Sequence, residues 1–135
     1  MNPPSFLNAS VLVALGGGLG AWLRFVTSVV WTRAIGPVAA LAFPWATLTA
    51  NVAGSLAMGL LVGWLARYGS HGESWRLLLG VGVLGGYTTF SSFALEFALF
   101  VERGALGMAA IYVGLSLAAG FSALFLGLIT MRGLA

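Results

Sequence analysis

The sequence predicts an all-α membrane protein with four transmembrane helices in a single domain covering residues 1–135. Of the 135 residues, 60% are hydrophobic and only 7% are charged, whereas about 25% of the residues in a typical soluble domain are charged. So few charges cannot cover a water-facing surface, which excludes an ordinary soluble enzyme or binding module. Because a transmembrane helix needs about 20 apolar residues, the chain has no room for a separate soluble domain.

Four apolar runs, each long enough to cross a bilayer, are separated by charged residues, Pro and Gly. They cover residues 7–31, 45–66, 77–100 and 104–131. The short connections between them predict that consecutive helices run antiparallel. Five aromatic residues lie near the predicted span ends, where amphipathic rings favour the headgroup region: Trp31, Trp45, Trp64, Tyr68 and Trp75.

The six basic residues, all Arg, lie singly along the chain, which argues against a nucleic-acid-binding surface. Three fall on the side of the termini and the middle loop, and three on the other side: Arg67, Arg76 and Arg132, against Arg24, Arg33 and Arg103. The positive-inside rule therefore favours neither orientation. One interpretation is that Arg24 is assigned to the wrong side. The other is dual topology, in which copies insert in both directions and pair as an antiparallel homodimer.

Glycine pairs spaced four residues apart occur in three of the four spans. They are Gly16 and Gly20, Gly59 and Gly63, and Gly82 and Gly86. Small residues at this spacing let two helix backbones approach closely. Gly is common in membrane helices, which accounts for any single pair but less readily for three. The pattern predicts close helix packing in each of these spans.

In the second span, Thr47, Asn51 and Ser55 recur every four residues and so share one helix face. Their amide and hydroxyl groups are donors that can replace part of an anion's hydration shell. The same groups also make interhelical hydrogen bonds in membrane bundles. The stripe alone leaves both interpretations open.

The fourth span repeats this spacing with Tyr112, Ser116 and Gly120. A phenol and a hydroxyl thus share one face with a residue that leaves a gap, which predicts a second polar face opposite the first. Tyr112 lies about one third of the way into the span, a position that also suits an interfacial anchor.

The third span combines two adjacent Gly with four hydroxyl residues, which predicts a helix broken in the middle of the membrane. These residues are Gly85, Gly86, Thr88, Thr89, Ser91 and Ser92. Hydroxyls can satisfy the backbone groups that a break releases, which is tolerated where the break is buried or lines a cavity. Unwound carbonyls favour a cation, whereas hydroxyls and half-helix N-termini favour an anion.

Phe90 and Phe93 follow the predicted break and share a helix face. Aromatic stripes of this kind usually serve packing, but a ring edge carries positive potential and can also face a small anion. Glu96 lies on the same side, with a partner that the sequence does not identify. Arg24 is the matching basic candidate near a helix end, where snorkelling to the interface is its simpler role.

Nothing in the sequence indicates a catalytic or metal centre built from side chains. The chain has no Cys, and its one His, His71, lies in a polar loop. No second metal ligand or nucleophile accompanies His71 at a suitable spacing. We therefore predict that the protein is not an enzyme and that His71 is solvated.

Three motifs together resemble the Fluc (CrcB) family of small membrane fluoride channels. The first is a Gly-rich helix ending in Arg, at residues 16–24, and the second is the segment at residues 44–55, with Ala46 where the family usually has Gly. The third and most specific is Gly-Gly-Tyr-Thr-Thr-Phe-Ser-Ser-Phe at residues 85–93. The likeness extends over nearly the whole chain.

This resemblance implies a channel that passively exports fluoride from the cytoplasm across the inner membrane, through two pores of an antiparallel homodimer. It implies a fluoride pathway that includes Asn51, Phe90, Phe93, Tyr112, Ser116, Thr47, Ser91 and Arg24. It also implies a structural sodium ion at the dimer centre, held by the main-chain carbonyls of Gly85 and Thr88. Structural roles are implied for Glu96, Gly86 and Thr89.

Two other function classes remain open at this point. A proton-coupled small multidrug-type transporter needs a membrane-embedded carboxylate in its first helix, and residues 7–31 contain no Asp or Glu. A non-transporting membrane assembly subunit would use the Gly pairs and hydroxyls only to bind partner helices.

Overall fold

The computed structural model describes residues 4–68 and 72–133, and all regular secondary structure in these ranges is helical. Four helical stretches are long and apolar enough to span a membrane, which confirms the predicted all-α membrane class. They are Phe6–Ile35, Trp45–Arg67, Gly72–Glu102 and Leu106–Gly133. His71 and the side chain of Tyr68 lie outside the described part of the chain, so the roles suggested for them stay predictions.

The first two membrane helices are α1, Phe6–Ile35, and α3, Trp45–Tyr68. A short helix that the sequence did not indicate, α2 at Pro37–Ala42, connects them. Gly36 has a φ of 81° and precedes α2. Pro37 occupies the first turn of α2, where its missing N–H leaves no helical hydrogen bond unmade.

The third span consists of several pieces. Helix α4, Gly72–Trp75, continues into a π-helical segment, Arg76–Leu84, and then into α5, Gly85–Tyr87. Thr88 (φ −77°, ψ 158°) and Thr89 (φ −153°, ψ 124°) are extended. Helical structure resumes as α6, Phe90–Glu102. The span is thus divided into two halves by a two-residue interruption.

The interruption does not include Gly85 and Gly86, contrary to the expectation from their low helix propensity. Gly85 has helical angles, φ −63° and ψ −38°, and Gly86 lies so close to α1 that a Cβ there would overlap the backbone of Gly17. Helix packing therefore explains Gly86, whereas a Cβ at Gly85 would make only an ordinary 3.7 Å contact with the carbonyl of Gly80. The extended residues are instead Thr88 and Thr89, whose branched Cβ atoms suit extended backbone.

Helices α6, Phe90–Glu102, and α7, Leu106–Gly133, form a tight hairpin. Gly104 turns the chain with a φ of 71°. The N–H of Ala105 then donates to the carbonyl of Phe100 at 2.9 Å. This geometry is that of a Schellman motif, in which a glycine with positive φ ends a helix.

The predicted close approach of helices at glycine pairs is confirmed. A Cβ on either Gly16 of α1 or Gly82 of the π-helical segment would overlap the backbone of the other helix. A Cβ at Gly59 of α3 would likewise overlap the backbone of Leu124 of α7. Helix α1 therefore packs on the first half of the third span, and α3 packs on α7.

A buried hydrophobic cluster lies where α3, α6 and α7 meet beside the α2–α3 connection. It consists of Phe43, Leu48, Phe100, Ala109 and Tyr112. Most other large apolar side chains face outward, as lipid-facing helices require. The buried cluster supports the site described next.

Candidate functional site

A first cavity, which we call the arginine cavity, lies between α1, α2, α3 and α6 and has a volume of about 700 Å³. Its charged and hydroxyl lining includes Arg24, Thr47, Ser92, Glu96 and Arg103. Two guanidinium groups and one carboxylate therefore face the same space.

A second cavity, the serine cavity, lies between α3, the interruption, α6 and α7 and has a volume of about 430 Å³. Its lining combines hydroxyl, amide and aromatic groups: Asn51, Ser55, Thr88, Thr89, Phe90, Phe93, Ser116 and Gly120. Among the residues that the structure describes, no charged side chain lines this cavity.

The two cavities follow one another along the same helices. On α3, Thr47 lines the arginine cavity and Asn51, one turn later, lines the serine cavity. On α6, Glu96 lines the arginine cavity and Phe93, one turn earlier, lines the serine cavity. The layer between the cavities is formed by these neighbouring turns together with Tyr112.

Glu96 lies at the centre of this layer. The sequence did not identify its hydrogen-bond partners, which are Thr47 and Tyr112. Thr47 Oγ1 donates to Glu96 Oε1 at 2.6 Å, and the Tyr112 hydroxyl donates to Glu96 Oε2 at 2.5 Å. Tyr112 is fully buried, so the alternative of an interfacial anchor is wrong. The carboxylate thus ties α6 to α3 and α7 at once.

Asn51 forms a two-point clasp on the extended backbone of Thr89. Asn51 Oδ1 accepts from the Thr89 N–H at 2.8 Å, and Asn51 Nδ2 donates to the Thr89 carbonyl at 3.1 Å. Both ends of the amide are therefore engaged, with one Nδ2 hydrogen left over. Thr47 and Asn51 thus make the interhelical hydrogen bonds that were one of the two interpretations of the polar stripe.

The two phenylalanines that line the serine cavity differ in burial. Phe93 packs on Tyr112 with ring centroids 5.2 Å apart, and Phe90 lies 5.8 Å from Phe93 with the rings tilted by 44°. Phe90 is 79% exposed. One ring is therefore fixed by the bundle, and the other projects from it.

Ser116 carries an unused hydrogen-bonding group. Its Oγ is buried and has no hydrogen-bond partner among the described residues. Gly120, one turn further, leaves room beside Ser55, whose Oγ would be 3.8 Å from a Cβ at position 120. A small polar ligand in the serine cavity would thus find a hydroxyl donor and free space together.

Two predicted pathway residues occupy positions other than those expected. Arg24 lies in the interior of α1, which continues to Ile35, so it is not near a helix end; it faces the arginine cavity instead. Ser91 is exposed, shares a 3.2 Å contact with Thr89 Oγ1 and lines neither cavity. Its neighbour Ser92 lines the arginine cavity.

Arg103 is a cavity residue that the sequence reasoning did not select. It ends α6 and lines the arginine cavity opposite α1. In the sequence, Arg103 directly precedes Gly104, and this position by itself indicates only a charge at a helix end.

The carbonyls of Gly85 and Thr88 have lost their usual helical donors. The Thr89 N–H, four residues after Gly85, donates to Asn51 instead. The Ser92 N–H, four residues after Thr88, donates to Thr89 Oγ1 at 3.2 Å. Main-chain carbonyls released in this way are suitable ligands for a hard cation such as sodium.

Comparison with known proteins gives consistent matches. The family model described as CrcB-like protein, Camphor Resistance (CrcB), matches residues 11–128. A protein of Novosphingobium aromaticivorans named "Fluoride-specific ion channel FluC" is 57% identical, covering 96% of this chain and 100% of the relative. Proteins of the same name from Beijerinckia indica and Caulobacter vibrioides are 51% and 45% identical, each covering 93% of this chain and 97% of the relative.

The family model covers most of the chain, and the relatives match almost end to end. Four apolar helices of spanning length and the names of these relatives make the chain a multi-pass membrane protein. On this evidence the chain belongs to the CrcB family.

Proposed function

We propose that the protein is a passive, fluoride-selective channel of the inner membrane that lets fluoride leave the cytoplasm and so lowers its toxicity there. The observation that supports this proposal most strongly is the match to proteins named as fluoride-specific channels, at up to 57% identity over almost the whole chain. The curated relatives are named as channels, which agrees with the prediction that the chain is not an enzyme.

The pathway that we propose runs from the arginine cavity past Glu96 into the serine cavity. Arg24 and Arg103 raise the local anion concentration in the first cavity. In the second, the donors supplied by the described lining are neutral, among them the free hydroxyl of Ser116. Weak, multi-site binding of this kind permits an ion to leave as well as to enter.

Glu96 gives the layer between the cavities a specific constraint. The hydroxyls of Thr47 and Tyr112 both point at its carboxylate, so neither can donate to an anion at the same moment. For fluoride to pass this layer, at least one of the two hydroxyls must break its hydrogen bond to the carboxylate and donate to fluoride instead. Phe93, packed on Tyr112, presents its ring at the same level, where a ring edge attracts a small anion.

We further propose that two copies form an antiparallel homodimer with two pores. Two observations support this arrangement. Phe90 projects from the chain at 79% exposure although it lines the serine cavity, so a second copy would complete that wall. Arg67, Arg76 and Arg132 lie at one end of the bundle and Arg33 and Arg103 at the other, which gives a weak positive-inside bias.

A structural sodium ion is part of the proposal. The residues fit it, because the carbonyls of Gly85 and Thr88 are released from helical hydrogen bonding. When bound, the ion would neutralise the partial negative charge that these carbonyls concentrate at the interruption. The backbone of this chain positions these two carbonyls.

The test is fluoride efflux from proteoliposomes containing the purified protein. We expect rapid passive fluoride flux, no chloride flux and no dependence on a proton gradient. Flux that requires a proton gradient would indicate a transporter, and a folded protein without flux would indicate a non-transporting subunit. Reporter fusions at the C-terminus test the topology: activity from both sides is expected, and one dominant orientation contradicts dual insertion.

A further inference from the structure

We infer that Asn51 is a positioning residue that keeps the third span open at Thr88–Thr89 and thereby holds the Gly85 carbonyl free. This inference rests on the proposed function for its channel context. Its evidence is the hydrogen bonding at the interruption.

The first step concerns competition for one N–H group. In a continuous α-helix the Thr89 N–H would donate to the carbonyl of Gly85, four residues earlier. In the structure it donates to Asn51 Oδ1 at 2.8 Å. Asn51 therefore replaces the acceptor that would otherwise close the helix.

The second step concerns the other side of the amide. Asn51 Nδ2 donates to the Thr89 carbonyl at 3.1 Å, so the clasp holds the peptide groups on both sides of Thr89. The amide makes the same pair of backbone hydrogen bonds that a neighbouring β-strand would make. This agrees with the extended angles of Thr89, φ −153° and ψ 124°. Without the amide, the buried N–H and carbonyl of Thr89 would lose these hydrogen bonds and would pair with the backbone groups of a continuous helix instead.

The third step links the clasp to the cation ligands. Thr88 already donates both its N–H and its hydroxyl to the carbonyl of Leu84, at 3.0 and 2.8 Å, so the helix is intact up to Thr88. The next helical bond, from Thr89 to Gly85, is the one that Asn51 prevents. The Gly85 carbonyl is thus available to a cation because of a residue on a different helix.

The experiment measures thermal stability of the purified protein in sodium chloride and in choline chloride. The variants are Asn51→Leu, which keeps the shape of Asn but removes the amide, and Asn51→Asp, which keeps an acceptor for the Thr89 N–H. Ser55→Ala is the matched control, because it removes a polar group from the next turn of the same helix face.

We expect sodium to raise the melting temperature of the wild type and of Ser55→Ala. Asn51→Leu should lose this shift, and Asn51→Asp should keep part of it. A full sodium-dependent shift in Asn51→Leu, or no shift in the wild type, would overturn the inference. If Asn51→Leu does not fold, Asn51→Ala, which also removes the acceptor for the Thr89 N–H, replaces it with the same expected loss.

Fluoride flux measured on the same preparations separates the inference from the proposed function. Wild-type protein without fluoride flux would contradict the channel proposal, while the sodium dependence of Asn51→Leu would still decide the role of Asn51. Asn51→Leu with no sodium-dependent shift but undiminished fluoride flux would confirm the clasp and show that conduction does not need it.

Discussion

The two halves of the third span are built on different principles. Before Thr88 the span packs on α1 through glycines, and the backbones are in contact. After Thr89 it packs on α3 and α7 through side chains, with Glu96 hydrogen-bonded to both. The first half therefore depends on the absence of side chains, and the second half on their chemistry. Substitutions in the two halves should fail in different ways.

The largest effect is expected for Gly82→Leu in the first half. A Cβ at Gly82 would lie 2.9 Å from the Cα of Gly16, and the obstructing atoms belong to backbone that cannot rotate away. We expect loss of folded protein, since the overlap exceeds the overpacking that usually costs about 1–3 kcal/mol. The measurement is the monodisperse yield and melting temperature in detergent.

Gly18→Leu is the control for this prediction, because Gly18 is exposed and no atom of the described chain lies within 4 Å of a Cβ there. Its yield and melting temperature should match the wild type. A Gly82→Leu protein that melts at the wild-type temperature would show that the backbone contact between α1 and the π-helical segment does not limit stability.

In the second half, Phe93→Ile should leave the fold intact and reduce fluoride flux at least about tenfold, which corresponds to about 1.4 kcal/mol. Ile fills much of the volume but has no ring edge to face an anion. Proteoliposome efflux is the assay. Phe125→Ile, at a ring that is 59% exposed on α7, should conduct normally, and equal flux from both variants would remove the ring from the proposed pathway.

A smaller effect on stability should distinguish two tyrosines: Tyr87 in the first half of the third span, and Tyr112 on α7, which bonds to Glu96 in the second half. Tyr112→Phe leaves the half-buried carboxylate of Glu96 without one of its donors, so we expect a loss of about 1–3 kcal/mol. Tyr87→Phe removes only a 3.2 Å contact with the hydroxyl of Thr27 and should cost about 0.5–1.5 kcal/mol. Thermal unfolding of both variants provides the comparison.

A double-mutant cycle sharpens this prediction. Thr47 and Tyr112 donate to the same carboxylate, so Tyr112→Phe and Thr47→Val should be non-additive, with a coupling of about 0.5–3 kcal/mol. Additive effects, or an equal cost for the two tyrosine variants, would mean that Glu96 does not tie the helices together.

The smallest effect is expected for Arg76→Gln at the start of the π-helical segment. Arg76 pairs with Glu73 at 2.7 Å, but both side chains are about half exposed, at 55% and 47%. Solvent and salt screen such pairs. The melting temperature should therefore be unchanged at low and at high salt, and a salt-sensitive decrease would contradict this.

The sequence predicted those features that depend on composition and spacing. The four spans follow from apolar length, and the contacts of Gly16 and Gly82 follow from small residues at helical spacing. The interruption lies within the segment at residues 85–92 for which a break was predicted, but it is limited to Thr88 and Thr89. Low helix propensity pointed to Gly85 and Gly86, whereas the acceptor on α3 determines which N–H leaves the helix.

Other features were not accessible because they depend on contacts between distant residues. Glu96 meets Thr47 and Tyr112, which are 49 and 16 residues away along the chain. The depth of Arg24 depends on how far α1 continues, and the polar residues Thr32 and Arg33 ended the predicted span before the helix itself ends at Ile35. The π-helical segment depends on backbone hydrogen bonds that residue type specifies only weakly.

The tight turn at Gly104 has a consequence for the assembly of the protein during synthesis. Phe90, Phe93, Glu96, Tyr112 and Ser116 all belong to the α6–α7 hairpin, which is the last part of the described chain to leave the ribosome. Thr47 and Asn51 are already in place on α3 when this hairpin emerges. Its insertion therefore completes both the carboxylate layer and the serine cavity in one step, so a chain halted before α7 would hold Glu96 by a single hydroxyl.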